Sequence, residues 1–203
     1  MIAKLTLAIA HPHPPLKVIM SLQCSRFLVK SIRKIRTGVD PKGSVTYLLD
    51  QPMTSLPFVT WAAASPTDLI SMFKDRALRF ALKLENRFSV EEKQNGLAFT
   101  DATNATAIHG YKAAACHSSY IVLSHNLSAL ENFVKPKDLH VYNALLVLFQ
   151  LTAFVQIKDD MADWLGVLTP ALADSITDHI HVLLDRVRPD AVSDGSCFEG
   201  TCS

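Results

Sequence analysis

Three aspartates near the end of a long apolar stretch have the most specific chemical spacing in the sequence. Asp159, Asp160 and Asp163 form an Asp-Asp-x-x-Asp pattern. Acids three and four residues apart share a helix face, where carboxylates can bind Mg²⁺ ions that in turn hold a diphosphate. The same acids also suit a solvated helix end, because they follow an apolar segment and precede Trp164 and Gly166. The spacing therefore allows two interpretations, a metal site and an ordinary helix end.

The aspartate pattern is similar to the aspartate-rich motif of isoprenoid synthases, which are also all-α enzymes. Those enzymes need a second acidic motif, and the sequence contains none. We therefore predict that the chain holds no metal. A Mg²⁺-dependent isoprenoid synthase-like protein, acting through Asp159, Asp160 and Asp163, is kept as an alternative.

The histidines and cysteines do not form a recognisable site by spacing. His109, His117 and His125 recur every eight residues, whereas zinc ligands on one helix usually lie three or four residues apart. Cys116 and His117 are neighbours, and neighbouring side chains on a helix point about 100° apart. The histidines are therefore predicted to be buried or surface imidazoles without a metal, and spacing alone identifies no active site.

Apolar residues recur with helical spacing in five stretches that have start or stop signals at their ends. Ser65 and Pro66 suit a helix start, and Gly38 suits a helix end. The predicted helices cover residues 16–38, 66–88, 99–133, 138–157 and 170–189. Because the connections are short and alternating patterns are almost absent, the predicted fold class is all-α, an antiparallel helical bundle.

Length and composition suit one helical domain over residues 16–192, with an N-terminal segment 1–15 and a tail 193–203. Half of the residues (49%) are apolar, and the net charge of +1 gives no general affinity for nucleic acid. Polar residues interrupt the apolar run 139–157, which favours a buried helix over a membrane span. Basic residues cluster at the end of the first predicted helix and are interpreted as a solvated helix end: Lys30, Arg33, Lys34 and Arg36.

Four segments resemble the acyl-CoA oxidases, the flavoenzymes of peroxisomal β-oxidation. Leu-Gln-Cys-Ser-Arg-Phe-Leu-Val-Lys-Ser (22–31) is similar to the family's Leu-Gln-x-Ala-Arg-[Phe/Tyr]-Leu-x-Lys-Ser, and Gly-Ser-Val-Thr-Tyr-Leu (43–48) to Gly-x-Val-x-Tyr-Leu. Ala-Ala-Ala-Cys-His-Ser-Ser-Tyr-Ile-Val (113–122) resembles Ala-Ala-x-Ala-His-x-x-Tyr-x-Val, and Val-Arg-Pro-Asp-Ala-Val (187–192) resembles Arg-[Pro/Ser]-[Asp/Asn]-Ala-Val. The chain is thus identified as a member of this family over about residues 18–192, the C-terminal helical half.

The resemblance implies an enzyme that oxidises fatty acyl-CoA to trans-2-enoyl-CoA with FAD and produces H₂O₂. In the family, a glutamate within Tyr-Glu-Gly-[Asp/Glu]-Asn removes the α-proton and the flavin takes a hydride. Counted back from Gln23 without a gap, the glutamate position is Pro14, and residues 13–17 contain no carboxylate. We therefore predict no catalytic residue in this chain, and its cofactor-binding residues stay unassigned.

The family's N-terminal domains, which hold most of the FAD and acyl-CoA, have no counterpart in these 203 residues. The chain is therefore expected to be a fragment, splice form or imperfect gene model, inactive by itself. The alternative is a non-catalytic helical module that docks on a full-length oxidase subunit. The resemblance implies a homodimer or a dimer with such a subunit, and a peroxisomal location, although Thr-Cys-Ser (201–203) is not a Ser-Lys-Leu-type signal.

Overall fold

Helices provide the regular structure of the described part of the chain. In the computed structural model this part is the backbone of residues 14–196 and the side chains of residues 20–188. Its α-helices are α1 (Pro14–Arg36), α2 (Pro66–Lys93), α3 (Phe99–Ala105), α4 (Ala107–Ala129), α5 (Leu139–Asp159) and α6 (Pro170–Ser196). Shorter 3₁₀ segments lie at Gly43–Leu49, Trp61–Ala63 and Met161–Trp164, and a π-helical turn at Leu130–Val134. Residues 14–196 contain no β-strand, so the predicted all-α class is confirmed.

The helix ends follow the local signals of the sequence. Ser65 caps α2: its hydroxyl accepts from the Asp68 N–H at 3.1 Å, while its own N–H donates to the Asp68 carboxylate at 2.9 Å. This reciprocal pair satisfies two donors at the helix start. Asp138 caps α5 by accepting from the backbone of His140 and Val141. After α1, Gly38 adopts a φ of +83°, which favours glycine, as predicted for a helix end.

Two predicted helices have different limits in the structure. α2 continues past Phe88 to Lys93, because Glu91, Glu92 and Lys93 are good helix formers although they extend no apolar stripe. The predicted helix 99–133 is divided at Thr106, whose hydroxyl donates to the Ala102 carbonyl at 2.8 Å. A threonine that bonds to a preceding carbonyl competes with regular helix geometry. The described residues therefore contain six α-helices where the apolar periodicity predicted five.

The prediction that Pro189 ends the last helix is wrong. α6 continues through Pro189 to Ser196. Proline lacks the N–H that would bond to the carbonyl four residues earlier, but its φ is compatible with a helix, so the residue weakens the helix at that point without fixing its end. Residues 1–13 of the predicted N-terminal segment 1–15, and residues 197–203 of the predicted tail 193–203, lie outside the described residues.

The described residues form two compact units. Unit A consists of residues 14–52 and 74–119, and unit B of residues 53–73 and 120–196. α2 and α4 contribute residues to both. The single domain over residues 16–192 stays a prediction.

The core of unit B is built around aromatic rings. The Trp61 indole packs edge-on against Phe154 at 5.1 Å and donates its N–H to the Leu172 carbonyl at 2.8 Å. Phe73 and Trp164 make a second edge-on pair at 5.3 Å. Edge-on aromatic pairs add to the stabilisation that burial provides. Residues from the 60s loop, α2, α5 and α6 thus share one apolar core.

α5 is only partly the buried helix that its composition suggested. Phe149, Ala153 and Phe154 lie in the core of unit B, whereas Leu145 and Leu148 are exposed on another face. In the described residues, α5 alone is long and apolar enough to cross a membrane, with 28% of the relevant window buried. Composition gives the apolar content of a helix but not which faces are covered, so the absence of a membrane span stays a prediction.

Candidate functional site

A buried carboxylate in unit A joins α2 to the basic end of α1. Glu85 is 1% exposed, and the Arg36 guanidinium lies 2.6 Å from its Oε2. Arg33 lies 3.7 Å from Oε1, which also accepts a 2.7 Å hydrogen bond from Ser89. Because a buried charge is tolerated only when it is paired, these contacts fix the end of α1 against α2.

Arg33 also makes contacts beyond Glu85. It donates to Glu92 at 2.6 Å and places its guanidinium 5.1 Å from the centre of the Phe88 ring. The interpretation of residues 30–36 as a solvated helix end is therefore incomplete, because Arg33 and Arg36, although partly exposed, both pair with acids on α2. The missed signal is the position of Glu85, one turn after Ala81 and three residues before Phe88, on the apolar stripe of α2.

Two of the resembling segments meet at a buried pair. The Tyr47 hydroxyl lies 3.0 Å from Nδ1 of His117, and their rings stack with centres 5.7 Å apart. Tyr47 belongs to the 3₁₀ segment Gly43–Leu49 and His117 to α4, 70 residues away in sequence. Burial lowers the pKa of His117, so its neutral form is favoured, and an unprotonated Nδ1 can accept a hydrogen bond from the Tyr47 hydroxyl. His117 is thus a buried imidazole that holds a short segment against α4.

His117→Gln is expected to reduce the dependence of stability on pH. Since burial lowers the pKa of His117 below its ordinary value of 6.5, the unfolded chain takes up a proton first as the pH falls. In the wild type, His117 therefore makes its full contribution to the free energy of unfolding above pH 6.5, and this contribution decreases as the pH falls below 6.5. Glutamine does not titrate, and its side-chain oxygen can still accept a hydrogen bond from the Tyr47 hydroxyl.

Urea denaturation at about pH 7.5 and pH 5.5 measures this difference. The pKa of His179 is also lowered, by burial and by nearby Arg186, but this group is present in both proteins and cancels in the comparison. If wild type and His117→Gln lost the same free energy of unfolding between pH 7.5 and pH 5.5, the lowered pKa of His117 would be contradicted.

The segment 22–31 lies within α1, where the chain packs closely on α4. A Cβ atom added to Gly110 would lie 3.0 Å from Cβ of Ser25, so glycine allows this approach. Cys24 is half-buried, and burial raises the pKa of its thiol to about 11. Gln23 is exposed, while Arg26 has a buried Nε that finds no hydrogen-bond partner among the described residues. These side chains support helix packing and provide no activated nucleophile.

The structure does not assemble the other candidate groups into a site. Asp159 ends α5, Asp160 caps it, and Asp163 lies in the 3₁₀ segment Met161–Trp164. In the chain as described, no group of three His, Cys, Asp or Glu side chains is arranged to hold a metal ion. The absence of a metal stays a prediction. His109 is half-buried and His125 exposed.

Pro14, at the position where the resemblance places the catalytic glutamate, is the first residue of α1. Nothing in its chemistry can remove a proton, since a proline side chain has no titratable group. The assignment of no catalytic residue stays a prediction. Unit A does hold α1 in place: the Glu85 ion pairs fix it against α2, and the close packing of Ser25 on Gly110 fixes it against α4.

FAD, which the resemblance implies, needs room for a flavin ring, a pyrophosphate and an adenosine. Two concave surfaces of unit A have volumes of about 500 and 550 Å³. The first is lined mainly by apolar side chains of α1 and α4, and the second is one face of α2. Neither is lined by a glycine-rich loop of the kind that binds a pyrophosphate. These two surfaces of unit A therefore do not fit FAD by themselves.

Comparisons with known proteins all match this chain to acyl-CoA oxidases. The model of the family described as acyl-CoA oxidase matches residues 65–193. A curated relative, peroxisomal acyl-coenzyme A oxidase 1 of Phascolarctos cinereus, is 28% identical over 193 residues that cover 89% of this chain and 28% of that protein. The chain thus spans little more than a quarter of the length of the curated relatives it matches.

Solved structures show the same similarity in three dimensions. An acyl-CoA oxidase from Lycopersicon esculentum (tomato) has a TM-score of 0.75 at 25% identity, over 91% of this chain and 28% of that one. Acyl-CoA oxidase-2 of Caenorhabditis elegans, solved with FAD, ascaroside-CoA and ATP, has a TM-score of 0.74 at 23% identity, over 87% and 25%. The described helices therefore have the fold of one part of these proteins.

Proposed function

The chain belongs to the acyl-CoA oxidase family, and we propose that it supplies the C-terminal helical part of such an oxidase. The complete enzyme would oxidise fatty acyl-CoA to trans-2-enoyl-CoA with FAD, produce H₂O₂, and act in peroxisomal β-oxidation. The family match favours this function over the isoprenoid synthase-like alternative, which rested on Asp159, Asp160 and Asp163.

The observation that carries the proposal is the contact between two resembling segments far apart in sequence. Tyr47 and His117 come from the segments 43–48 and 113–122, and they meet as a buried, hydrogen-bonded pair. A chance similarity of short motifs gives no reason for two of them to pack together. The contact supports an oxidase-like arrangement of α4 and the 3₁₀ segment.

We infer a positioning role for unit A. Its contacts hold α1 at both the Ser25–Gly110 crossing and the Glu85 ion pairs. In the resembling enzymes, the carboxylate that removes the α-proton lies just before this helix, and a general base must sit within hydrogen-bond reach of its proton. A rigid α1 would therefore set the position of the residues at its start. In this chain the glutamate position is Pro14, the first residue of α1, so the 203-residue chain is proposed to have no oxidase activity of its own.

The test is direct measurement on the purified 203-residue chain. We expect no stoichiometric FAD after purification and no H₂O₂ when saturated acyl-CoA substrates of several chain lengths are added. The tomato oxidase, assayed in parallel, provides the positive control. A chain that retains FAD and releases H₂O₂ in response to an acyl-CoA would overturn the proposal.

A second candidate is a non-catalytic module that docks on a full-length oxidase subunit. The exposed apolar residues of α5 favour it, because Val141, Leu145, Leu148 and Val155 recur at intervals of four, three and seven along one face. Such a stripe is typical of a helix that packs on another protein surface. The two candidates differ in whether the chain copurifies with a full-length oxidase. A homodimer would use the same kind of surface, and it would be recognised by a molecular mass in solution that increases with protein concentration.

A further inference from the structure

A cleft in unit B lies between the first half of α5 and the second half of α6, and its volume is about 220 Å³. Four apolar side chains line it: Ala144, Val147, Leu148 and Val187. Three polar side chains complete the lining: His140, Asn143 and Arg186. A mainly apolar concave surface with a few polar groups is the usual form of a small-molecule site.

The polar groups of this cleft are suited to bind an anion. The Arg186 guanidinium has five N–H donors in a planar fork that matches a carboxylate, and the Asn143 amide adds two donors. The His140 ring has at least one N–H donor in each of its protonation states. No Asp or Glu of the described residues lines the cleft. An anion would therefore meet donors there and no carboxylate.

The charge of Arg186 is not neutralised by a neighbouring acid. Asp185 lies 3.3 Å from Arg188, so the adjacent carboxylate already has a partner. Among the side chains of residues 20–188, no carboxylate forms an ion pair with Arg186. The pKa of His179, two turns earlier on α6, is lowered by burial and also by the positive charge of Arg186. Arg186 thus gives the cleft a positive potential.

We propose that this cleft binds a small carboxylate with a short apolar chain. The carboxylate would contact Arg186 and Asn143, and the chain would lie on Val147 and Leu148. The volume of 220 Å³ corresponds to about seven water molecules at about 30 Å³ each, which suits a chain of roughly four to six carbons. The proposal does not depend on oxidase function, because the cleft consists of this chain's own residues.

Titration of the full ¹⁵N-labelled chain with hexanoate, followed by NMR, tests the proposal without FAD or acyl-CoA. Hexanoate is expected to bind with a Kd on the order of 1 mM and to shift the Asn143 side-chain amide signals. The neutral 1-hexanol and the cationic hexylamine, which have the same chain length, are expected to bind at least about fivefold more weakly. No binding of hexanoate at 20 mM, or equal binding of 1-hexanol, would overturn the proposal.

Two arginine variants separate the cleft from general surface charge. Arg186→Gln is expected to weaken hexanoate binding about tenfold, because it removes the charged donor group. The matched control, Arg188→Gln, makes the same change two residues away, at an arginine that pairs with Asp185 and does not line the cleft. It is expected to bind like wild type. Equal weakening by the two variants would show that hexanoate responds to net charge and has no site in the cleft.

A third variant tests the apolar part of the cleft. Ala144→Leu places a larger side chain in the cleft at a half-buried helix position and is expected to abolish hexanoate binding. The dispersion of the NMR signals checks that each variant stays folded. A folded Ala144→Leu variant that binds hexanoate like wild type would place the ligand elsewhere and contradict the assignment.

Discussion

Replacing Arg33 and Arg36 together by methionine is expected to lower the free energy of unfolding by about 3 kcal/mol. Methionine keeps much of the apolar stem but removes both cations that face Glu85, which is 1% exposed. A buried carboxylate without a counter-ion is destabilising, because the Ser89 hydrogen bond alone does not replace its lost hydration. The value lies at the lower end of the range for broken buried pairs, because both arginines are partly solvated in the folded protein.

The matched control adds Glu85→Leu to the same background. Removing the charge together with its partners is expected to recover most of the lost stability, since an apolar side chain suits a buried position. Urea denaturation of wild type, the double variant and the triple variant measures both effects. A double variant as stable as wild type would show that the cluster does not hold α1 against α2.

Phe154→Ala is expected to lower the free energy of unfolding by about 3–5 kcal/mol. Phe154 is fully buried and contacts Trp61 at 5.1 Å and His179 at 4.6 Å between ring centres. Alanine leaves a cavity at the meeting point of α5, α6 and the 3₁₀ segment Trp61–Ala63, and their edge-on ring contacts are lost as well.

Phe133→Ala is the matched control, because the same truncation is made in unit B at a side chain that is 68% exposed. This control is expected to change stability by about 0.5 kcal/mol or less. Thermal and urea denaturation followed by circular dichroism compare the two variants. Similar values for both would mean that Phe154 does not belong to a tightly packed core.

Local signals in the sequence were sufficient for most helix ends. Ser65, Gly38 and Asp138 act through bonds to neighbours within four residues, so the sequence contains all that decides them. The break at Thr106 and the continuation through Pro189 depend on small differences in backbone energy. Apolar periodicity does not measure such differences, and it therefore predicted one helix too few and placed the ends of α2 and α6 too early.

The site was harder to predict because its contacts join distant parts of the chain. Glu85 meets arginines about 50 residues earlier, and Tyr47 meets a histidine 70 residues later. No spacing rule covers such distances. The resemblance to acyl-CoA oxidases did identify both segments of the Tyr47–His117 pair, but not their contact. Glu85 gives no motif of its own, and its position on the apolar stripe of α2 is the one sign in the sequence that this acid is buried.

The most direct test of the account is a pair of chimeras with the tomato acyl-CoA oxidase. In the first, residues 18–192 replace the matched helical region, so that the host's own glutamate-containing element stays in place. In the second, the exchange starts at residue 10 and puts Pro14 at the glutamate position. We expect both chimeras to retain FAD, and the first to release H₂O₂ from acyl-CoA.

The second chimera is expected to be slower by about 10²–10⁴-fold, the usual contribution of a general base, and Pro14→Glu within it should restore activity. That pattern would show that these helices form a working part of an oxidase, and that the group they lack is the carboxylate at the start of α1. A folded first chimera without FAD or oxidase activity, or equal activity in both chimeras, would contradict the account.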